Sequence, residues 1–340
     1  MSAFWLLPVV AGLALLLTGA MRHYALSRSL LDIPNARSSH SQPTPRGGGI
    51  AIVISFLAAL PLLALSGLLP WPVVWALMGA GGLAAGVGFL DDHSHVAPRW
   101  RLLTHFAGAL WLLAWLQGLP PLALLGRTLD LGLLGDMLAA FYLVWLLNLY
   151  NFMDGIDGIA SLEAICVCLG GAVLYALVGQ SLLALTPLLL AAAAAGFLYW
   201  NFPPARIFLG DSGSGFLGIV LGGLSLQAAW IDPRLLWGWL ILLGVFLMDA
   251  TLTLFRRLAR GEKVLEAHRS HAYQVAARRY GGHLPVTLAT GALTLFWLLP
   301  IAAWVALGRL DGLVGLLLAY VPLGLLVLRE TGMRAWSPGG

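Results

Sequence analysis

The stretch NLYNFMDGIDGIA, residues 148–160, sets two carboxylates (Asp154, Asp157), two amides (Asn148, Asn151) and two glycines (Gly155, Gly158) between long apolar runs. Carboxylates at i and i+3 share a face if the segment is helical. The glycines would instead let the backbone turn sharply or approach a ligand closely. Ionisable groups at the edge of an apolar span are costly and point to function. A helix cap needs one such residue, and this segment supplies four polar groups.

Four more segments carry related chemistry. Asp91 and Asp92 open FLDDHSHVAPRWR (89–101), which closes with Arg99 and Arg101. Adjacent carboxylates repel unless a cation lies between them or one keeps its proton. A hard divalent ion such as Mg2+, bridged to substrate phosphates, relieves that repulsion, and guanidinium forks suit phosphate oxygens. In RIFLGDSGSGFLG (206–218), Asp211 stands beside Gly213 and Ser214 at the start of a span. Exposed amides there bind phosphate, and Asp211 can hold the accompanying cation. Phe208 suits stacking on a base and an interfacial aromatic position equally well.

The segment AHRSHAYQVAARRYGGH (267–283) contributes His268, Arg269 and His271. Without an HExxH pattern or a nearby cysteine, HxxH reads as a phosphate grip rather than a zinc site. Arg278 and Arg279 read as orientation signals or contacts to anionic lipid. PTPRGGG (43–49) adds Arg46, which fits a phosphate contact and a topology signal alike. Asp249, late in an apolar run, either faces the site or pairs with an arginine.

The elements that must position these groups are membrane spans. The chain is 60% hydrophobic and 10% charged, with mean hydropathy +0.88, against about 25% charged residues in soluble domains. This is an all-α polytopic membrane protein, one integral domain over 1–340. A span needs about 20 apolar residues. Eleven runs qualify or come close: 3–21, 49–69, 73–90, 102–117, 133–149, 162–178, 182–200, 216–229, 235–255, 284–307 and 313–328. Ten spans result if the fourth, blurred by Pro120, Pro121, Arg127 and Asp130, is dropped. The first run lacks a charged n-region and a clear cleavage site, so it reads as a span rather than a signal peptide.

Of the 19 Lys and Arg, all but Arg127, Arg234 and Arg309 fall on one set of loops. The positive-inside bias then puts the N-terminus outside (periplasmic) and the C-terminus in the cytoplasm. It also explains the net charge of +4 without a nucleic-acid partner. All five polar segments, in loops 22–48, 91–101, 151–161, 201–215 and 256–283, then share the cytoplasmic face. Cys166 and Cys168 point to different faces of a helix and read as packing residues.

Taken together and in order, from DIPNARSSHSQPTPRGGG (32–49) to HRSHAYQ (268–274), the segments resemble the polyprenyl-phosphate N-acetylhexosamine-1-phosphate transferases, of the glycosyltransferase family 4 type. The resemblance implies transfer of a sugar 1-phosphate from a UDP-N-acetylhexosamine to undecaprenyl phosphate, with release of UMP, in the bacterial inner membrane. It implies Mg2+ (Mn2+ as the alternative) on Asn151 and Asp211. Uracil is held at Gly155 and Asp157 and stacked on Phe208. Asp91 and Asp92 activate or position the lipid phosphate, and His268, Arg269 and His271 contact sugar and pyrophosphate. Arg101 lies near the phosphates, with Arg46 and Arg99 gathering anions, and Asp154 near the ribose or the metal's outer shell. A homodimer is compatible with the sequence.

The branch acting on the muramyl-pentapeptide nucleotide carries consecutive histidines where this chain has His268-Arg-Ser-His271. The pattern looks most like enzymes initiating O-antigen or other surface polysaccharide. A CDP-alcohol phosphotransferase would need a DGxxAR core and further aspartates after Asp157-Gly158, which are absent. A secondary transporter would show repeated halves and mid-span polar groups, and neither is present. Direct in-line attack is favoured over an aspartyl-phosphate intermediate, because the acceptor phosphate is already ionised near neutral pH.

Overall fold

The computed structural model describes residues 3–34, 40, 42–94, 96–262 and 269–332. Each of the eleven apolar runs falls on helix. The first four are α1 (Leu6–Ser27), α2 (Ile50–Leu65), α3 (Trp71–His93) and α4 (Pro98–Leu116). The next four are α5 (Gly132–Met153), α6 (Ile159–Leu177), α7 (Leu185–Asn201) and α8 (Asp211–Ile231). The ninth run is broken into α9 (Pro233–Leu242) and α10 (Gly244–Ala259), bent by 68°. After the short amphipathic α11 (Ala272–Arg279) come α12 (His283–Leu293), a π-helical turn over Thr294–Leu298, α13 (Leu299–Ala306) and α14 (Gly312–Glu330). Two antiparallel hairpins complete it, β1–β2 (Leu31–Asp32 with Thr44–Pro45) and β3–β4 (Leu122–Leu124 with Arg127–Leu129).

Seven of these helices, counting α12 to α13 as one, are long and apolar enough to cross a membrane, and eight if the bent α9–α10 pair is a single span. The chain is therefore an all-helical, multi-pass membrane protein. Helices α2 and α7 are shorter, at 16 and 17 residues, and α4 opens on Arg99 and Arg101. The residues that blur the sequence after the fourth run belong to the β3–β4 hairpin and its flanks.

Long-range hydrogen bonds define two poles. At one, the Arg22 side chain reaches the Arg206 carbonyl, Arg46 reaches the Asp92 carbonyl, and Tyr273 reaches the Phe152 carbonyl. At the other, the Leu125 N–H donates to Asp311 and the Trp237 indole donates to the Ala123 carbonyl. Arg127, Arg234 and Arg309 lie at this second pole. The five polar segments meet at the first.

Helix α8 is the axis of the bundle, buried from Ser212 to Ala229. Its first turn meets neighbouring backbone so closely that only hydrogen fits between. A Cβ on Gly49 would lie 2.3 Å from Gly213 Cα, and one on Gly88 would lie 2.5 Å from the Asp211 carbonyl. Backbone cannot step aside as a flexible side chain can. Gly49→Ala is expected to cost about 1–3 kcal/mol or more, read as a lower melting temperature and less folded protein in detergent. The buried Glu163 carboxylate accepts from the Thr294 hydroxyl at the start of the π turn, 2.9 Å away.

Candidate active site

The site starts where α3 ends. Asp91 and Asp92 are neighbours in sequence, but a helix turns them roughly 100° apart, and each has its own partners. Asp91 accepts from the Val96 N–H (2.8 Å) and from Arg101 (2.5 Å). Asp92 is 4% exposed and accepts from the Asp211 and Ser212 N–H groups, at 3.1 and 3.3 Å. It thus caps α8 from another helix and satisfies amides that an isolated helix leaves orphaned. Arg101 also reaches back to Asp211, 3.3 Å away, so one guanidinium joins the ends of α3 and α8.

The glycine-rich segment 45–49 pairs with 206–210. The Phe208 N–H donates to the Pro45 carbonyl (2.8 Å), and the Gly48 and Gly49 N–H groups donate to the Phe208 and Leu209 carbonyls (2.9 and 2.8 Å). This fixes Arg46 and Phe208 on one rim. Gly210 adopts φ +77°, and a Cβ there would sit 2.7 Å from Asp92, so the turn into α8 requires glycine.

The α5–α6 elbow forms the opposite wall. Asn151, in the last turn of α5, donates to Ser214 (3.2 Å) and lies beside Asp211. A Cβ on Gly155 would strike the Tyr273 hydroxyl at 2.2 Å. Asp157 accepts from the Ala205 N–H (3.0 Å) and lies 3.2 Å from His283. Asn201 accepts from the Gly158 N–H and donates to the Ile207 carbonyl, tying the elbow to the α7–α8 segment.

These walls enclose a cavity of about 210 Å3 lined by Arg46, Asp92, Asn151, Asp154, Gly155, Asp157, Phe208 and Asp211. Asp91 and Arg101 stand behind Asp211. Burial, followed by the charges of Asp211, Asp92 and Asp157, pushes the Asp154 carboxyl well above its usual range. A carboxyl so placed takes up a proton on folding, and that penalty is absent below its unfolded value and grows as pH rises. Asp154→Asn is therefore expected to raise the melting temperature in EDTA by an amount that increases between about pH 4 and pH 8. Melting curves across that range check the sign.

The same field bears on metal. Among the described residues, no three His, Cys, Asp or Glu side chains group into a cage. The neighbouring Asn151 and Asp211, in a strongly negative cavity, instead fit Mg2+, which is held by one or two protein oxygens, water and substrate phosphates.

Other sequence candidates lie elsewhere. Arg99 is exposed and packs over Trp100, 5.7 Å from the ring centroid. His271 is buried, 3.4 Å from Asp249 and stacked between Phe152 and Tyr273. Asp249 caps α11 through the Ala272 and Tyr273 N–H groups, at 2.9 Å each. Arg269 lies in a separate recess, and His268 falls outside the described residues. Ser214, beside Asp211 in sequence, lines the cavity too, as do residues that carry no motif of their own: Asp32, His40, Asn201, Gln274 and His283. The His40 ring meets Phe208 edge-on at 4.8 Å. Gln274 is buried with an unpartnered carbonyl oxygen, although as a neutral amide in a short helix it gave no sequence signal.

An apolar groove of about 330 Å3 adjoins the cavity, lined by Met153, Val245, Ala276, Val286, Leu293, Leu323 and Val327 among others. Met153 lines the groove and Asp154 the cavity; Tyr273 lines the groove and Gln274 the cavity.

The fold is that of a polytopic membrane protein with a polar cavity at one pole, and comparison with known proteins gives its family. Residues 74–229 match the model of glycosyl transferase family 4. The chain is 31% identical to a decaprenyl-phosphate N-acetylglucosaminephosphotransferase of Mycolicibacterium smegmatis, over 75% of this chain and 70% of that protein. It is 29% identical to a probable undecaprenyl-phosphate N-acetylglucosaminyl 1-phosphate transferase of Bacillus subtilis, over 76% and 73%. A phospho-N-acetylmuramoyl-pentapeptide-transferase of Synechococcus elongatus is 34% identical over a shorter 62% of this chain and 60% of its own length. The chain belongs to the polyprenyl-phosphate N-acetylhexosamine-1-phosphate transferases of glycosyl transferase family 4.

Proposed function

We propose that this enzyme transfers an N-acetylhexosamine 1-phosphate, of the N-acetylglucosamine type, from its UDP donor to undecaprenyl phosphate. It thereby starts an O-antigen or related surface polysaccharide at the cytoplasmic face of a bacterial inner membrane. The observation that carries this reading is the acidic cavity, with Arg46 on its rim, set one residue away from an apolar groove. One reactant is a charged nucleotide, and the other is a phosphate on a long hydrocarbon tail. Few substrate pairs need both surfaces side by side. The basic bias of the loops at this pole supports its cytoplasmic assignment, with the N-terminus outside and the C-terminus inside.

In the reaction, an oxygen of the acceptor phosphate attacks the sugar-bearing phosphorus of the donor. The P–O bond to UMP breaks, and UMP leaves with the bridging oxygen. The attacking oxygen is already ionised near neutral pH, so no strong base is needed. Phe208 supplies a face for uracil, with Gly155 and Asp157 at its edge, and Arg46 on the rim and Arg101 behind Asp211 offset part of the cavity's negative charge. Asn151 and Asp211 are the residues that would hold Mg2+, with Asp154 in its outer shell. Bound Mg2+ would neutralise the diphosphate and improve UMP as a leaving group. Asp91 orients Arg101, and Asp92 orients Asp211. His271 shapes the neighbouring α11 from its buried position.

The muramyl-pentapeptide reaction is the second reading, since a relative carries that name, but the HRSH loop favours a simple amino sugar. Purified protein, Mg2+, undecaprenyl phosphate and a panel of UDP-N-acetylhexosamines test the proposal. UMP release is expected with at least one simple donor. Turnover confined to UDP-MurNAc-pentapeptide would replace it with the second reading.

A further inference from the structure

Helix α11 separates three cavities. Gln274 faces the catalytic cavity, Tyr273 and Ala276 face the apolar groove, and Val275 and Arg278 face a third recess of about 200 Å3. This recess is lined by Arg256 and Arg257 from the last turn of α10, by Arg260 at its C-cap, by Arg269, and by Arg278. The hydroxyl residues Thr253, Ser270 and Thr331 complete its wall. It shares no lining residue with the catalytic cavity.

We propose that this recess is a second anion site that takes a phosphate group, presented by an anionic phospholipid headgroup or as free phosphate. Five guanidinium groups converge on one small space. Glu262 lies 2.9 Å from Arg257 and 3.9 Å from Arg260. Arg279 faces Glu330 instead, at 2.7 Å. Topology signalling and the negative end of α10 explain arginines in that last turn. They do not explain why Arg269 and Arg278, from later segments, close the same space.

Two of the arginines are also held in place. Arg256 donates to the Thr331 hydroxyl and the Gly332 carbonyl, and Arg278 donates to the Arg269 carbonyl at 3.0 Å. Planar guanidinium forks suit phosphate oxygens. Helix α10 is the second half of a bent apolar pair, so its last turn stands where a membrane helix meets water. Basic pockets between such helices hold phospholipid headgroups.

The test is thermal melting of the full-length protein in lipid nanodiscs. One arm uses phosphatidylglycerol, one phosphatidylcholine, and one phosphatidylcholine with inorganic phosphate in the buffer. Wild type is expected to melt several degrees higher in phosphatidylglycerol than in phosphatidylcholine. R260Q/R278Q, which removes two exposed members of the recess, should lose most of that gap, and lipid titration should show headgroup binding about 30-fold weaker. R260K/R278K should keep much of the gap. R28Q/R329Q, which removes exposed arginines elsewhere at the same pole, should keep nearly all of it. The phosphatidylcholine arm reports whether the variant itself folds. A shift produced in wild type by inorganic phosphate alone, and lost in R260Q/R278Q, would support the site with free phosphate as its ligand. Absence of a shift in every arm, or an equal loss in R28Q/R329Q, would overturn it.

Discussion

Asp211→Ala should yield a folded protein whose UMP release is at least about a thousandfold slower, the scale on which removal of preorganised electrostatic stabilisation reads. Asp211 is where the proposed metal position, the α8 N-terminus and Arg101 coincide. Losing its carboxylate removes a metal oxygen and leaves Arg101 with Asp91, 2.5 Å away. No cation is stranded without a partner, which is why folding should survive. Asp211→Asn keeps the shape and should be nearly as impaired. Melting curves together with UMP release separate the two effects, and near-normal turnover in either variant would remove Asp211 from the metal site.

Asp92→Ala should damage both stability and turnover. Its carboxylate is the acceptor for two amides at the start of α8, and leaving buried donors unpaired costs about 1–3 kcal/mol. The first turn of α8, freed from α3, would no longer hold Asp211 against Asn151. Asp92→Asn can still accept one of the two hydrogen bonds, so its melting temperature should fall less. Its kcat is expected to drop about a hundredfold, with the KM for the nucleotide sugar within a few-fold of wild type. That split distinguishes a positioning residue from one that binds the donor. A large KM change with unchanged kcat would assign Asp92 to donor binding instead.

Much of this architecture is legible in the sequence, because apolar runs of span length and loop charge are direct consequences of bilayer thickness and membrane insertion. The grouping of the five polar segments at one pole is what an eleven-span reading expects. Local geometry was less accessible. Asp91 and Asp92 read as a pair awaiting a shared cation, yet helical rotation gives one to Arg101 and the other to the α8 amides. In the sequence Asp249 fits the site or an arginine partner equally, and in the fold it caps α11. The ninth run reads as one span because nothing in its composition marks the 68° break before Gly244. Asn201 is a neutral amide that holds Gly158, 43 residues away in the chain, and Gln274 lines a cavity whose other walls come from distant segments; residue patterns do not reach that far.

The most direct measurement follows the phosphorus. Donor labelled with 32P in the sugar-bearing phosphate is incubated with the protein, undecaprenyl phosphate and Mg2+, and the products are separated into lipid and water. Transfer moves the label into the lipid fraction in step with unlabelled UMP. Label that stays in water as sugar 1-phosphate, or as intact donor, would contradict a phosphosugar transferase.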